Sequence, residues 1–177
     1  MASGQLSHDV GWDGVARPGG ARGAARSGDP GATRLPVVSD AAVPATVLVF
    51  SHRVEVRAAV RTALGRFPAA GVGPLSYVEC GTGDEVVAAV DAGGIDLCVL
   101  DGEAQPTGGM GISRQLKHEI ADCPALVVLI ARQVDRWLAH WSLADATLAY
   151  PIDPLTAADV VATQLGERAS RRPAVRG

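Results

Sequence analysis

The residue with the clearest chemical potential is Asp101, a carboxylate that ends the apolar run Ile95–Asp101. Such a run reads as a buried strand, and its carboxyl end is where an open α/β sheet keeps its chemistry. Glu103 follows two residues later, and Ser51-His52 follows a second apolar run, Thr46–Phe50. A histidine beside a carboxylate is a proton switch, because its ordinary pKa of about 6.5 rises through neutrality in that company. His52, Asp101 and Glu103 would also supply three ligands to a transition metal. That set has no second histidine and no cysteine, so no metal or cofactor is assigned. Ser51 can hydrogen-bond Asp101 but lacks the base and orienting group that would make it a nucleophile.

Two further groups of residues draw attention. The segment Gly102–Gly111 is glycine-rich and opens a helix, an arrangement that can cradle phosphate. It matches neither a P-loop nor a dinucleotide turn, and reads instead as a tight loop whose glycines take positive φ. Trp137 and Trp141 stand four residues apart with His140 between them. On a helix, Leu138 and Trp141 would pack on the sheet and leave the other indole as an interface anchor. Trp12 is the one Phe, Trp or Tyr in residues 1 to about 43, a Gly-, Ala- and Arg-rich stretch with little area to repay ordering. That stretch is expected to be disordered alone, with Trp12 as a docking anchor.

The elements that position these groups follow from periodicity. Thr46–Phe50, Ser76–Cys80, Ile95–Asp101, Leu126–Ile130 and Thr147–Tyr150 read as strands. Val56, Val60 and Leu64 form a helical stripe between the first two, and Asp84–Ala92 is a short helix stopped by Gly93-Gly94. Met110, Ile112, Leu116 and Ile120 mark a third helix, Asp135–Ala144 a fourth, and Asp153 with Pro154 starts a last one. Five strand–helix repeats with right-handed crossovers imply one parallel sheet covered on both faces. The domain is read as residues 44–166, followed by a solvated basic tail, 167–177, that continues Arg168 with Arg171, Arg172 and Arg176.

Composition narrows the function classes. A net charge of -3 and a pI near 5.8 give no electrostatic footprint for nucleic acid. No apolar run approaches the roughly 20 residues of a membrane-spanning helix, and no hydrophobic leader is expected at the amino terminus. Cys80, Cys98 and Cys123 are an odd set without metal-ligand spacing, expected to be buried small hydrophobes in a reducing cytoplasm.

With strand-terminal Asp101, Gly109 eight residues on, the step Tyr150-Pro151-Ile152 and Arg57 of the first helix, residues 46–166 resemble the response-regulator receiver family. These are the CheY-like domains of two-component signalling. The resemblance implies a flavodoxin-like (βα)5 fold with strand order 2-1-3-4-5. It also implies a phosphoacceptor role for Asp101, with acidic residues after strand one, a hydroxyl after strand four and a lysine after strand five. Here those positions carry Ser51 and His52, Ile130 followed by Ala131, and Tyr150. Neutral replacements cannot hold Mg²⁺ as carboxylates do. Phosphoryl transfer rests on charge stabilisation, where one arginine alone is worth about 10³–10⁵-fold. A degenerate phosphoacceptor site is expected, and no enzyme.

The block from Gly94 to Ile112 resembles atypical orphan receivers of actinobacteria associated with respiratory complex I, the NADH:quinone oxidoreductase. The expectation is therefore a phosphorylation-independent adaptor, cytoplasmic or peripheral through a protein partner, without nucleic-acid binding or membrane insertion. Its contact residues would be Trp12, Trp137, His140, Trp141 and Tyr150. About a dozen residues after the last helix leave no expected room for a DNA-binding output domain. The alternatives are a stand-alone regulator phosphorylated on Asp101, and a small-ligand or pH sensor at the strand-end crevice.

Overall fold

The computed structural model describes residues 43–171; Trp12 and the rest of the amino-terminal segment lie outside them. The elements alternate as β1 (Val43–Phe50), α1 (Val54–Leu64), β2 (Val72–Cys80), α2 (Gly83–Asp91), β3 (Leu97–Asp101), α3 (Gly109–Glu119), β4 (Ala125–Ile130), a 3₁₀ turn (Gln133–Asp135) running into α4 (Arg136–Trp141), β5 (Ala146–Ala149) and α5 (Pro154–Arg171). All strand pairings are parallel, in the order β2-β1-β3-β4-β5. The fold is the CheY-like α/β architecture.

β3 and β4 are buried at every position, the signature of strands covered on both faces. Because side chains alternate across a strand, the sheet divides its apolar residues between two cores. Val47, Val49, Val99, Val127 and Leu129 meet Val56 and Val60 of α1 and Ala157 and Val161 of α5. Leu48, Phe50, Leu100, Val128 and Ile130 meet Val86 and Val90 of α2 and Ile112 and Leu116 of α3. Each large side chain buried in this way stabilises the fold by about 1.5–3 kcal/mol before entropy is counted.

Local signals fix the helix starts. Thr82 Oγ1 accepts from Glu85 N at 3.3 Å while Glu85 Oε2 accepts from Thr82 N at 3.3 Å, a reciprocal cap that begins α2. At α5, Asp153 Oδ2 accepts from Thr156 N at 2.7 Å, which satisfies one of the helix's free amides and lowers the Asp153 pKa. Gly93 and Gly94 follow α2 at φ of 81° and 82°.

Two helices differ from expectation. α4 is shorter than the Asp135–Ala144 span, because Leu143 turns to φ 60° and its N–H bonds to His140 O at 3.2 Å. α5 is longer, running to Arg171, so the region after Gly166 does not start a solvated tail. Arg168 is buried, with its guanidinium donating to the carbonyls of Cys123 and Asp122. A buried arginine bound to these carbonyls ties α5 to the α3–β4 connection, which residue charge alone does not reveal. Among the described residues no helix is long and apolar enough to cross a membrane.

Candidate functional site

The carboxyl ends of β1, β3 and β5 converge on Asp101, which has no exposed surface. Ser51 Oγ donates to Oδ2 at 2.7 Å, and Arg53 Nη2 donates to the same oxygen at 3.1 Å. The backbone N–H of Glu103 donates to Oδ1 at 3.0 Å, and the Tyr150 hydroxyl donates to it at 3.3 Å. Two hydrogen bonds thus engage each carboxylate oxygen. Ser51 Oγ also accepts from Arg53 N at 3.0 Å, so the turn after β1 is braced on the same hydroxyl.

Arg53 was not among the candidates read from the sequence, and it is the ion-pair partner of the buried carboxylate. The guanidinium is 39% exposed while Asp101 is fully enclosed. The hydrogen bond to Asp101 raises the Arg53 pKa further, so its positive charge is permanent. The signal was available: a cation two residues after Ser51, at the start of α1, stands beside a place that lacks acidic residues. Arg57, the arginine carried over by resemblance, lies elsewhere. It donates to Ser51 O at 2.6 Å and pairs with Glu79 at 3.0 Å.

Tyr150 is half-buried, and burial first, then the Asp101 charge, push its phenol well above the ordinary tyrosine range. It is a neutral donor here. Ile130 is 1% exposed and belongs to the core, so the end of β4 offers the site no hydroxyl. Ala131 beyond it is exposed.

The histidine does not join this cluster. His52 is exposed, and its Nδ1 accepts from Gln105 N at 3.0 Å across to the β3–α3 loop. Glu103 contributes its backbone amide rather than its exposed side chain. Among the described residues no group of three His, Cys, Asp or Glu side chains is placed to share a metal ion. The His52–Asp101–Glu103 ligand set is therefore not assembled.

The glycines of the same loop also have a different reason from the one expected. Gly102, Gly108, Gly109 and Gly111 do not take positive φ. A Cβ on Gly109 would lie 2.7 Å from Asp101 O, and one on Gly102 would lie 2.5 Å from Leu129 O. Close backbone approach, not left-handed geometry, requires glycine there.

The second group of candidates lies on α4. Trp137 is 67% exposed and Trp141 57% exposed, and Val134 one turn earlier is 72% exposed. The expectation that Trp141 packs on the sheet with Leu138 does not hold: Leu138 is half-buried, and the Arg114 guanidinium lies 4.5 Å from the Trp141 ring centroid. His140 is exposed between the indoles. Tyr150 turns its hydroxyl inward to Asp101. Cys80 and Cys98 are buried and Cys123 is half-buried, all as free thiols, and burial pushes the Cys80 thiol up to about 11.

No protein-family model matches the chain. A response regulatory protein of Mycobacterium tuberculosis, recorded in strains H37Rv and CDC 1551, is 48% identical over 116 residues, covering 66% of this chain and 87% of that protein. Among solved structures, the signal receiver domain of a LuxO repressor protein from Vibrio parahaemolyticus superposes with a TM-score of 0.61 at 14% identity, covering 72% of this chain and 95% of that one. A CheY-like receiver domain protein from Methanospirillum hungatei gives a TM-score of 0.59 at 13% identity, covering 73% and 100%. NtrX from Brucella abortus, solved with ADP, gives 0.62 at 18% identity, covering 73% of this chain and 29% of that longer one. These structural likenesses concern the fold.

Proposed function

The chain belongs to the response-regulator receiver family, and on that premise we propose that it is a receiver-like adaptor that works without phosphorylation. One observation carries this reading: both oxygens of the buried Asp101 are engaged by donors of the chain itself, including a permanent cation. A carboxylate nucleophile needs a free lone pair, a path for the incoming group and charge compensation for the phosphoryl oxygens. Here the path is closed and the compensating charge is already committed to the carboxylate.

The adaptor surface is the α4 face, where Trp137 and Trp141 present large apolar area beside His140. Exposed aromatic side chains of this kind are the usual anchors of protein interfaces. The partner is respiratory complex I, with this chain as an accessory subunit on its hydrophilic side. Support for the partner comes from the resemblance of the Gly94–Ile112 block and not from geometry. A peripheral position at the membrane follows from that partner.

The test is affinity purification of the tagged native chain from a gently solubilised membrane extract, with mass spectrometry of what co-elutes. Stoichiometric recovery of complex I subunits is expected, retained in Asp101→Asn and lost in the Trp137→Ala/Trp141→Ala double variant. A clean monomer, or binding that depends on Asp101 but not on the indoles, would overturn the reading. The competing account is a stand-alone regulator phosphorylated on Asp101, favoured by the survival of that aspartate at the strand end.

A further inference from the structure

Among the described residues the sheet has two edges, β2 and β5, and there no strand pairs with one side of the β2 backbone. Cys80 O accepts from Ser51 N at 3.2 Å, so Cys80 faces β1. In a parallel ladder the N–H and C=O of one residue point the same way and alternate along the strand. Ser76 and Val78 therefore face β1 as well, while Leu75, Tyr77 and Glu79 face the free edge. Leu75 N is already taken, donating to Arg66 O at 2.8 Å. Among the described residues no partner takes the main-chain groups of Tyr77 and Glu79 on that side. Devices that blunt edges, a proline (Pro74) and a shift of register, sit at the beginning of the strand and do not reach these residues.

Beside this edge runs an open groove of about 630 Å³ lined by Arg61, Thr62, Arg66, Leu75, Ser76 and Tyr77 among others, with no acidic residue in its lining. Arg57 and Arg61 share one carboxylate, Glu79, at 3.0 and 2.6 Å, which leaves positive charge in excess. Among the described residues Arg66 has no ion-pair partner; its guanidinium lies 5.8 Å from the ring of Phe67, which is 64% exposed. A cationic groove with aromatic side chains therefore borders an open strand edge, on a chain whose net charge is -3.

We propose that the free edge of β2 and its flanking Arg61 and Arg66 form a docking site for an extended acidic segment of a partner protein, added to the sheet as a further strand. Main-chain hydrogen bonds to Tyr77 and Glu79 supply the pairing, and alternate carboxylates of the segment meet the guanidinium groups. Arg61 lies over the Tyr77 ring and Arg66 beside Phe67, so these aromatics share the carboxylates' face and the remaining side chains of the segment point to the opposite face of the sheet. This site is independent of any chemistry at Asp101 and lies on the opposite sheet edge from β5.

The probe is a synthetic peptide, acetyl-Glu-Val-Glu-Val-Glu-Val-amide, titrated into the full chain with amide NMR and hydrogen exchange as readouts. Binding is expected to slow exchange at Tyr77 and Glu79 at least about tenfold. Replacing Glu by Gln in the peptide, or making the Arg61→Ala/Arg66→Ala chain, is expected to weaken binding about tenfold, as loss of a charge-assisted pair does. A peptide N-methylated at alternate residues is expected not to bind. Absence of binding, equal binding of the glutamine peptide, or shifts confined to α4 would each overturn the proposal. So would the same protection appearing in the concentrated chain without peptide, since the edge would then be occupied by a second copy.

Discussion

Around Asp101, donors from three strand ends converge on one enclosed carboxylate, whereas on α4 two indoles stand in water with an arginine stacked on one of them. The first region resembles a place for chemistry, yet both oxygens of its carboxylate are engaged by groups of the same chain. The second has no reactive constellation and displays large apolar side chains that the core does not use. The contrast is one of commitment: the polar groups at the strand ends are used within the chain, whereas the indoles of α4 are exposed.

Substitutions should separate the two regions cleanly. Asp101→Ala leaves the hydroxyls of Ser51 and Tyr150, the amide of Glu103 and the Arg53 guanidinium without their shared acceptor. A loss of about 2–4 kcal/mol in urea unfolding is expected, less than for a fully enclosed pair because Arg53 can turn to water. The Trp137→Ala/Trp141→Ala variant is expected to stay within about 0.5 kcal/mol of the native stability while losing at least about 2 kcal/mol of partner affinity. A large stability loss in the Trp variant would erase the distinction. Tyr150→Phe removes one of the four hydrogen bonds to Asp101 and should cost about 0.5–1.5 kcal/mol.

The tyrosines sharpen the comparison by pH. The chain has two, Tyr77 and Tyr150, and burial raises the pKa of both. In the folded chain the tyrosinate absorbance should therefore lag behind that of the unfolded chain, which titrates near pH 10. An acid whose folded pKa is raised keeps its proton longer than in the unfolded state. Its contribution to stability is full below about pH 10 and falls as pH rises through the folded value. Tyr150→Phe should leave a single lagging phenol. The smallest expected effect is on the thiols: Cys80, Cys98 and Cys123 all have raised pKa values through burial. Their reaction with a disulfide reagent should be slow in the native chain and fast after unfolding.

The architecture was readable because apolar periodicity is a local property that the sheet then uses directly. The runs ending at Phe50, Asp101 and Ile130 became strands, and Val56, Val60 and Leu64 became the buried stripe of α1. The site was readable only in part. Ser51 and Tyr150 do meet Asp101, but a hydrogen-bond partner 50 residues away depends on tertiary placement that periodicity does not encode. Arg53 escaped notice because a charged residue at a helix start is ordinarily a solvated one. His52 misled for the opposite reason: a residue type suited to a switch was adjacent in sequence, yet its ring turned to Gln105. At α4 the pattern of Leu138 and Trp141 matched a packed face, and the short helix ended by Leu143 leaves that face outside.

The central claim is that Asp101 is engaged by its own chain and does not accept phosphate. Incubation of the full chain with acetyl phosphate and Mg²⁺, followed by intact mass measurement, tests it most directly. The account predicts an unchanged mass. A Mg²⁺-dependent gain of one phosphoryl group that disappears in Asp101→Asn would contradict it.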